Sequence, residues 1–481
     1  MQYRLSHLEP KEPLRYFEDI CRIPHGSGNE KAVSEYLIQF AKDHGLAFLT
    51  DELYNVVIKK PGQHGGETAE PLAMQGHTDM VCEKNNDVDH DFVTDAIDYY
   101  VDGDKLKAKG TTLGADNAVA VCIMLGILAD AELPHPPLEC LFTAQEEVGL
   151  VGALHLDPAW IEARRIVNLD CGPEGSAVVG SAGGVRTDAA LSVGRQPAEG
   201  EGLKIEIKGL QGGHSGGEIH KYKGNANKLM GRVLLRLLPE GIGICSIAGG
   251  SKENAIPREC VALISVPAGK QAAVEALLRG CEAEFKAELK GIDEGVEVCA
   301  SPAEASACMD AASAKRLVDY LNLCPNGVQL YHLALKITVA SVNMAVIKTE
   351  GDVVHICSSI RSSEESLKWE VRDRLQLLAD LCGFAMTESF EYPSWAYDWV
   401  SPLRDLAKAV YEELFGGTFV TKPVHGGLEC GVFKRKWPQA DIIAIGPSAS
   451  GAHSPDETLD IPSYARTYEF VRALVSRMCA G

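Results

Sequence analysis

Apolar residues run through this chain in two rhythms. Over residues 28–44 and 114–130 they follow a helical pattern, and GADNAVAVCIMLGILAD is apolar enough to lie buried against a sheet. Around these segments come short, nearly continuous apolar runs: NVVIKK at 55–60, PLAMQG at 71–76, PLECLFT at 137–143 and RRIVNLD at 164–170. Runs of that length, bounded by turn residues, predict strands buried on both faces. Strands alternating with helices predict an α/β fold with a doubly wound, mostly parallel sheet.

From about residue 187 the rhythm changes. LKIEIKGL at 203–210 alternates in the manner of a half-exposed strand, and a helix is predicted near 223–238. ICSIAGG and CVALISVP read as strands flanking the loop SKENAIPRE. SVNMAVIKTEGDVVHICSSI predicts a hairpin turning at Glu350-Gly351, and amphipathic helices are predicted at 270–289 and 364–383. These are antiparallel strands backed by helices, an α+β unit. After the linker EYPSWAYD at 391–398 the first rhythm returns, with a helix at 401–416, a buried strand DIIAIG at 441–446 and a last helix near 462–478. The economical reading is a catalytic α/β domain, 1–186 plus 397–481, split by an inserted domain at 187–396.

Composition narrows the function. A chain of 481 residues exceeds one ordinary core. A net charge of −21 repels phosphate backbones, which argues against a nucleic-acid partner. No stretch approaches the ~20 apolar residues of a membrane span. The opening MQYRLSHLEPKEPLRYFEDI has no apolar segment followed by small residues, so no secretion signal is expected. Fifteen cysteines, an odd number scattered singly with no CxxC pair, fit free thiols in a reducing compartment. A cytoplasmic protein is the expectation.

In a doubly wound sheet the loops after the carboxyl ends of the strands build the site. His77, Glu146, Glu147 and Asp170 occupy such positions, Asp116 opens the apolar helix, and His453 follows the 441–446 strand. Taken singly each has an ordinary reading: His77-x-Asp79 as a surface turn, Asp116 as a helix cap, His453 as a loop histidine. Adjacent carboxylates at the end of a buried strand repel each other and are costly to desolvate unless cations compensate. Together the residues supply two imidazoles and a surplus of carboxylates, an inventory that suits two divalent ions sharing a carboxylate, with one carboxylate left to move protons. His77 would bind as a neutral imidazole, with Asp79 accepting its other ring N–H. His214, in the Gly-rich loop QGGHSGG, is a candidate to stabilise an oxyanion and is equally readable as a turn histidine. Arg361 suits bidentate capture of a substrate carboxylate, or is a solvated hairpin arginine.

The segments GHTD at 76–79, GADNAVAV at 114–121, QEEVGLVGA at 145–153, NLD at 168–170 and GAHSPDE at 451–457 resemble those of the aminoacylase/carnosinase clan of dinuclear zinc exopeptidases. GTTLGADNAVAV, LQGGHSGGEIH and HGGLECG at 425–431 extend the resemblance over nearly the whole chain. It implies that His77 and Asp170 bind one zinc, that Glu147 and His453 bind the other, and that Asp116 bridges both with a water or hydroxide between them. It makes Glu146 the general base and later proton donor, and Asp79 the group that orients His77. It also implies a cis peptide between Asp116 and Asn117. Asn254, Gly426, Gly427 and Glu429 become substrate-binding candidates. The inserted domain becomes a lid and homodimer platform whose His214 reaches a partner's site.

The function implied is a metal-dependent dipeptidase for short unblocked dipeptides, Xaa-His and carnosine-like ones among them. It would use two divalent ions, zinc foremost, with manganese or cobalt able to serve mixed N/O ligands. A tripeptidase or an N-acyl amino acid amidohydrolase of the same clan is the nearest alternative. A non-catalytic peptide-binding module would need a lost base or ligand, and all seven positions are filled.

Overall fold

Eight strands form the sheet that carries the candidate chemistry, in the order Ala47–Thr50, Val56–Lys60, Leu138–Thr143, Leu72–His77, Arg165–Asn168, Asp441–Ala444, Ser176–Val178, Val420–Lys422. The four from Leu138–Thr143 to Asp441–Ala444 run parallel. The sheet is therefore parallel at its centre, as expected, but Val56–Lys60 and Ser176–Val178 join it antiparallel. Apolar run length says that a strand is buried and is silent on its direction. A small antiparallel sheet of Ala449–Ser450, Thr458–Asp460, Lys105–Ala108 and Tyr99–Asp102 was not expected from the pattern.

The structure is a computed structural model that describes residues 3–479 and resolves into two units. The first comprises the chain up to Ser181, Trp395–Pro423 and Leu428 onward, and the second comprises Ala182–Ser394 with Val424–Gly427. The inserted segment thus begins and ends a few residues before the expected 187 and 396, and the four residues 424–427 belong with it. Residues 1–2 and 480–481 of the expected catalytic segments lie outside the described residues. Each unit has its own apolar core. No helix among the described residues is long and apolar enough to cross a membrane.

The helix Ala115–Ala129 is buried along nearly its whole length, including Val121, Ile123, Leu125 and Ile127. A helix apolar all round must be enclosed. Gly76 makes that possible on the sheet side, because a Cβ there would lie 2.4 Å from the Cβ of Ala120. The residue before His77 is therefore small so that the helix carrying Asp116 can press onto the strand carrying His77.

The second unit is built on a nine-stranded antiparallel sheet, backed by the helices Ala226–Leu237, Gln271–Glu288, Ala311–Leu323 and Glu365–Cys382. The hairpin Ile337–Glu350/Val353–Ser362 pairs Glu350 with Val353, placing its tight turn at Gly351-Asp352. Gly351 takes a φ of 55°, the left-handed conformation such turns require. The third of these helices and the strands Gly327–His332 and Ala385–Tyr392 have weaker patterns and were not expected.

Candidate metal centre

Asp116 lies between two histidines. Its Oδ1 is 3.1 Å from His77 Nε2, and its Oδ2 is 3.4 Å from His453 Nε2. Asp170 Oδ1 is 3.7 Å from His77 Nε2, and Glu147 Oε1 is 3.0 Å from His453 Nε2. Donor atoms of His77, Asp116 and Asp170 fall within 4.8 Å of one another, as do those of Asp116, Glu147 and His453. His77, Glu146 and Glu147 form a third such group. The fold thus brings together all six of these residues from five separate chain segments. The Asp116–Asn117 peptide is cis.

The donor chemistry fits cations. His77 Nδ1 donates to the backbone carbonyl of Asp79 at 3.0 Å. A neutral ring then turns the lone pair of Nε2 toward carboxylate oxygens, which is repulsive unless a positive charge lies between. Glu147 Oε1 is buried without a hydrogen-bond donor, 3.0 Å from His453 Nε2. The protonation tendencies tell the same story. Burial pushes the Glu146 carboxyl up to about 8, with Glu429, Glu147 and Asp116 adding repulsion against the pull of His77. Burial and the adjacent Asp116 charge push Asp170 up as well. The Asp116 and Glu147 carboxylates in contact with His453 raise it to about 10. At His77 burial works against the charge, but Asp170, Asp116 and Asp79 outweigh it and raise the ring. Without a cation, protons must occupy the space between these groups, which is the behaviour of a site shaped for metal ions.

Two buried carboxylates hold the centre's frame. Asp79 was expected to accept the His77 ring N–H. Its Oδ1 is 3.4 Å from Nδ1, but the Asp79 backbone carbonyl makes the hydrogen bond. The carboxylate instead accepts from the backbone N–H of Glu146 at 2.9 Å, the N–H of Glu147 at 3.2 Å and Ser27 Oγ at 2.7 Å. One residue therefore ties the His77 loop to the paired glutamates. Glu457 does the same for Asp116, accepting from the backbone N–H groups of Leu113, Gly114 and Asp116 at 2.7, 3.0 and 3.1 Å. Sequence reasoning passed over Glu457, although it stands four residues after His453 within the quoted GAHSPDE. Glu457→Ala is expected to cost about 3 kcal/mol of stability by orphaning three amides. A shifted urea midpoint would show it, and an unchanged midpoint would dismiss the clamp.

A cavity of about 590 Å³ opens beside Asp116 and Asp170, walled by Ala115, Leu169, Pro173, Pro447, Ala449 and Leu459.

The remaining candidates, apart from Glu429, lie in the second unit. His214 Nδ1 accepts from the N–H groups of Gly216 and Gly217 at 3.2 and 3.0 Å, so the neutral ring offers Nε2–H as a donor. Burial and the Arg361 charge push its pKa down, which favours that neutral ring. Arg361 is fixed by a 2.9 Å bond to Tyr392 Oη, while its Nε is buried without a partner. It is thus a held cation and not a solvated hairpin arginine. The backbone carbonyl of Asn254 accepts from Ser215 N–H at 2.8 Å, behind the His214 loop. Gly426 is tied by its carbonyl to Ala182, and a Cβ on Gly427 would strike the Tyr392 ring at 2.8 Å. His425 was missed, although it begins the HGGLECG motif. It is buried, contacts Ser341 Oγ at 2.7 Å and is pushed down to about 3 by burial and by the nearby Arg361, His220 and His214. Glu429 belongs to the first unit, fully buried at the start of the helix Glu429–Lys436.

With this geometry in place, residues 73–477 match the family described as peptidase family M20/M25/M40. The chain belongs to that family. This M20 peptidase is 38% identical over 481 residues to the cytosol non-specific dipeptidase of Escherichia coli (strain K12), covering 99% of both chains. Its structure superposes on that of the aminoacylhistidine dipeptidase of Vibrio alginolyticus with a TM-score of 0.92 at 35% identity, covering 98% of each chain. A tripeptidase of Staphylococcus aureus shares the fold at a TM-score of 0.58 and 16% identity, over 98% of this chain and all of that one.

Proposed function

We propose that this M20 peptidase is a dinuclear metal-dependent dipeptidase that hydrolyses short unblocked dipeptides, Xaa-His and carnosine-like ones included. The observation that carries the reading is the Asp116 carboxylate set between His77 and His453, with Asp170 and Glu147 each completing one donor group. His77, Asp170 and Asp116 would hold one cation, and Glu147, His453 and Asp116 the other. Zinc is the first choice for such N/O donors, with manganese and cobalt as alternatives. The cations would supply Lewis acidity toward the scissile carbonyl and a lowered water pKa.

The chain's own groups do the rest. Glu146, buried among carboxylates, takes a proton from the attacking water and returns it to the leaving amine. Asp79 fixes the backbone that aims Glu146 and Glu147. His214 Nε2–H donates to the developing oxyanion, and Arg361 receives the terminal carboxylate of the substrate, with Asn254, Gly426 and Gly427 beside them. The second unit serves as lid and homodimer platform, closing to exclude water. Full-length identity to a cytosolic dipeptidase supports both the substrate class and a cytoplasmic setting.

The test is turnover of Ala-His, carnosine, a tripeptide and N-acetyl-methionine by the purified, metal-loaded protein. Hydrolysis of Ala-His well above the other classes is expected. Preference for the tripeptide or the acylated amino acid would overturn the reading in favour of a sibling activity.

A further inference from the structure

Behind the centre lies a chain of hydrogen bonds between fully buried side chains. Asp170 donates its backbone N–H to Asn168 Oδ1 at 3.1 Å. Asn168 Nδ2 donates to Gln75 Oε1 at 2.5 Å, and Gln75 Nε2 donates to Glu429 Oε2 at 2.5 Å. Thr143 Oγ1 also donates to Glu429 Oε2, at 3.1 Å. Gln75, Thr143, Asn168 and Glu429 are each 0% exposed. The three partners sit on adjacent parallel strands, where Gln75 is level with Asn168 and His77 is level with Thr143. Each stands two or three residues before a candidate ligand or base: Gln75 before His77, Thr143 before Glu146, Asn168 before Asp170.

Glu429 Oε2 accepts from both Gln75 and Thr143, so the chain ends there. With Glu429 as terminal acceptor, Gln75 must present its amide nitrogen to it and its carbonyl to Asn168. Asn168 must then present its own carbonyl to the Asp170 N–H. Bonds aligned in one direction reinforce one another, and a buried network of this kind holds one geometry. We infer that Glu429 is a positioning residue, not a substrate contact: it fixes the direction of the buried network and thereby the strand ends that carry His77, Glu146, Glu147 and Asp170. This inference rests on the dipeptidase reading above. It departs from the expectation, drawn from resemblance, that Glu429 binds substrate.

Glutamine at 429 can keep an oxygen where Oε2 now accepts, placing its amide nitrogen at Oε1, which has no partner. Leucine cannot. Glu429→Leu is therefore expected to weaken Co²⁺ binding about tenfold, read by equilibrium dialysis and by an altered visible spectrum of the cobalt enzyme. It should lower kcat about tenfold at saturating metal with KM within about twofold. Glu429→Gln should restore metal affinity and kcat to within about threefold of wild type. Thr143→Val, which removes one donor and leaves Glu429 in place, should move both in the same direction by a smaller factor, and decides the matter alone if the leucine variant does not fold. Glutamine as damaging as leucine, with KM raised and metal affinity kept, would make Glu429 a substrate contact and overturn the inference. So would a leucine or valine variant with unchanged kcat and metal affinity. Wild-type protein that binds Co²⁺ but cleaves no dipeptide would instead remove the functional reading.

Discussion

Glu146→Gln is expected to lower kcat by about 10²–10⁴-fold while metal content and KM stay near wild-type values. The substitution keeps volume and polarity and removes only the ability to take up a proton. Burial and the surrounding carboxylates of Glu429, Glu147 and Asp116 disfavour charge on Glu146, so the group binds a proton readily. Asp79 holds the Glu146 and Glu147 backbones together, and the neighbouring Glu147 is aimed at His453. Kinetics and elemental analysis on the same preparation decide the role. Turnover near wild type would remove Glu146 as the base. Loss of one metal equivalent would make it a ligand instead, an outcome its proximity to His77 and Glu147 keeps open to measurement.

Removing the metals is the second large effect. Treatment with a chelator is expected to abolish turnover and to lower the unfolding temperature by roughly 10 °C, since a ligand at 1,000 times its Kd contributes ~4 kcal/mol. The physical reason is the number of carboxylates gathered around His77 and His453. Asp116 is held as an anion by its two histidine contacts against the cost of burial, whereas Asp170 is driven toward its neutral form. Stripped of cations, the site must recruit protons or open. Elemental analysis should find about two divalent ions per chain, and calorimetry before and after chelation reads the stability change. A chelated protein that keeps both its activity and its unfolding temperature would end the metal reading. Readdition of zinc, manganese and cobalt one at a time ranks the candidate ions.

How much of this was legible in the residues depends on the kind of contact involved. His77, Glu146, Glu147 and Asp170 stand at the carboxyl ends of buried strands, and the geometry of a parallel sheet gathers such ends whatever the loops do. Asp116 and His453 entered the same inventory on weaker ground, since a helix start and a glycine-rich loop are ambiguous alone, and motif resemblance strengthened them. Glu457, Gln75 and Asn168 escaped for a different reason. Their partners are backbone amides or buried amide groups far along the chain, and no local pattern marks a side chain that satisfies a distant N–H. Asp79 shows the same limit, because its proximity to His77 was readable and its grip on the glutamate backbones was not. The antiparallel flanks of the sheet also escaped, because burial is written in residue type while strand direction is decided by the connections.

The strand Asp441–Ala444 lies between Arg165–Asn168 and Ser176–Val178, which precede it by more than 260 residues. During synthesis the first 181 residues leave the ribosome with a gap in their sheet, and the whole inserted unit must emerge before the gap can be filled. His453 and Glu457 arrive later still. A nascent chain therefore cannot assemble the centre until residues as late as His453 and Glu457 have emerged, with an open sheet edge for chaperones to guard meanwhile.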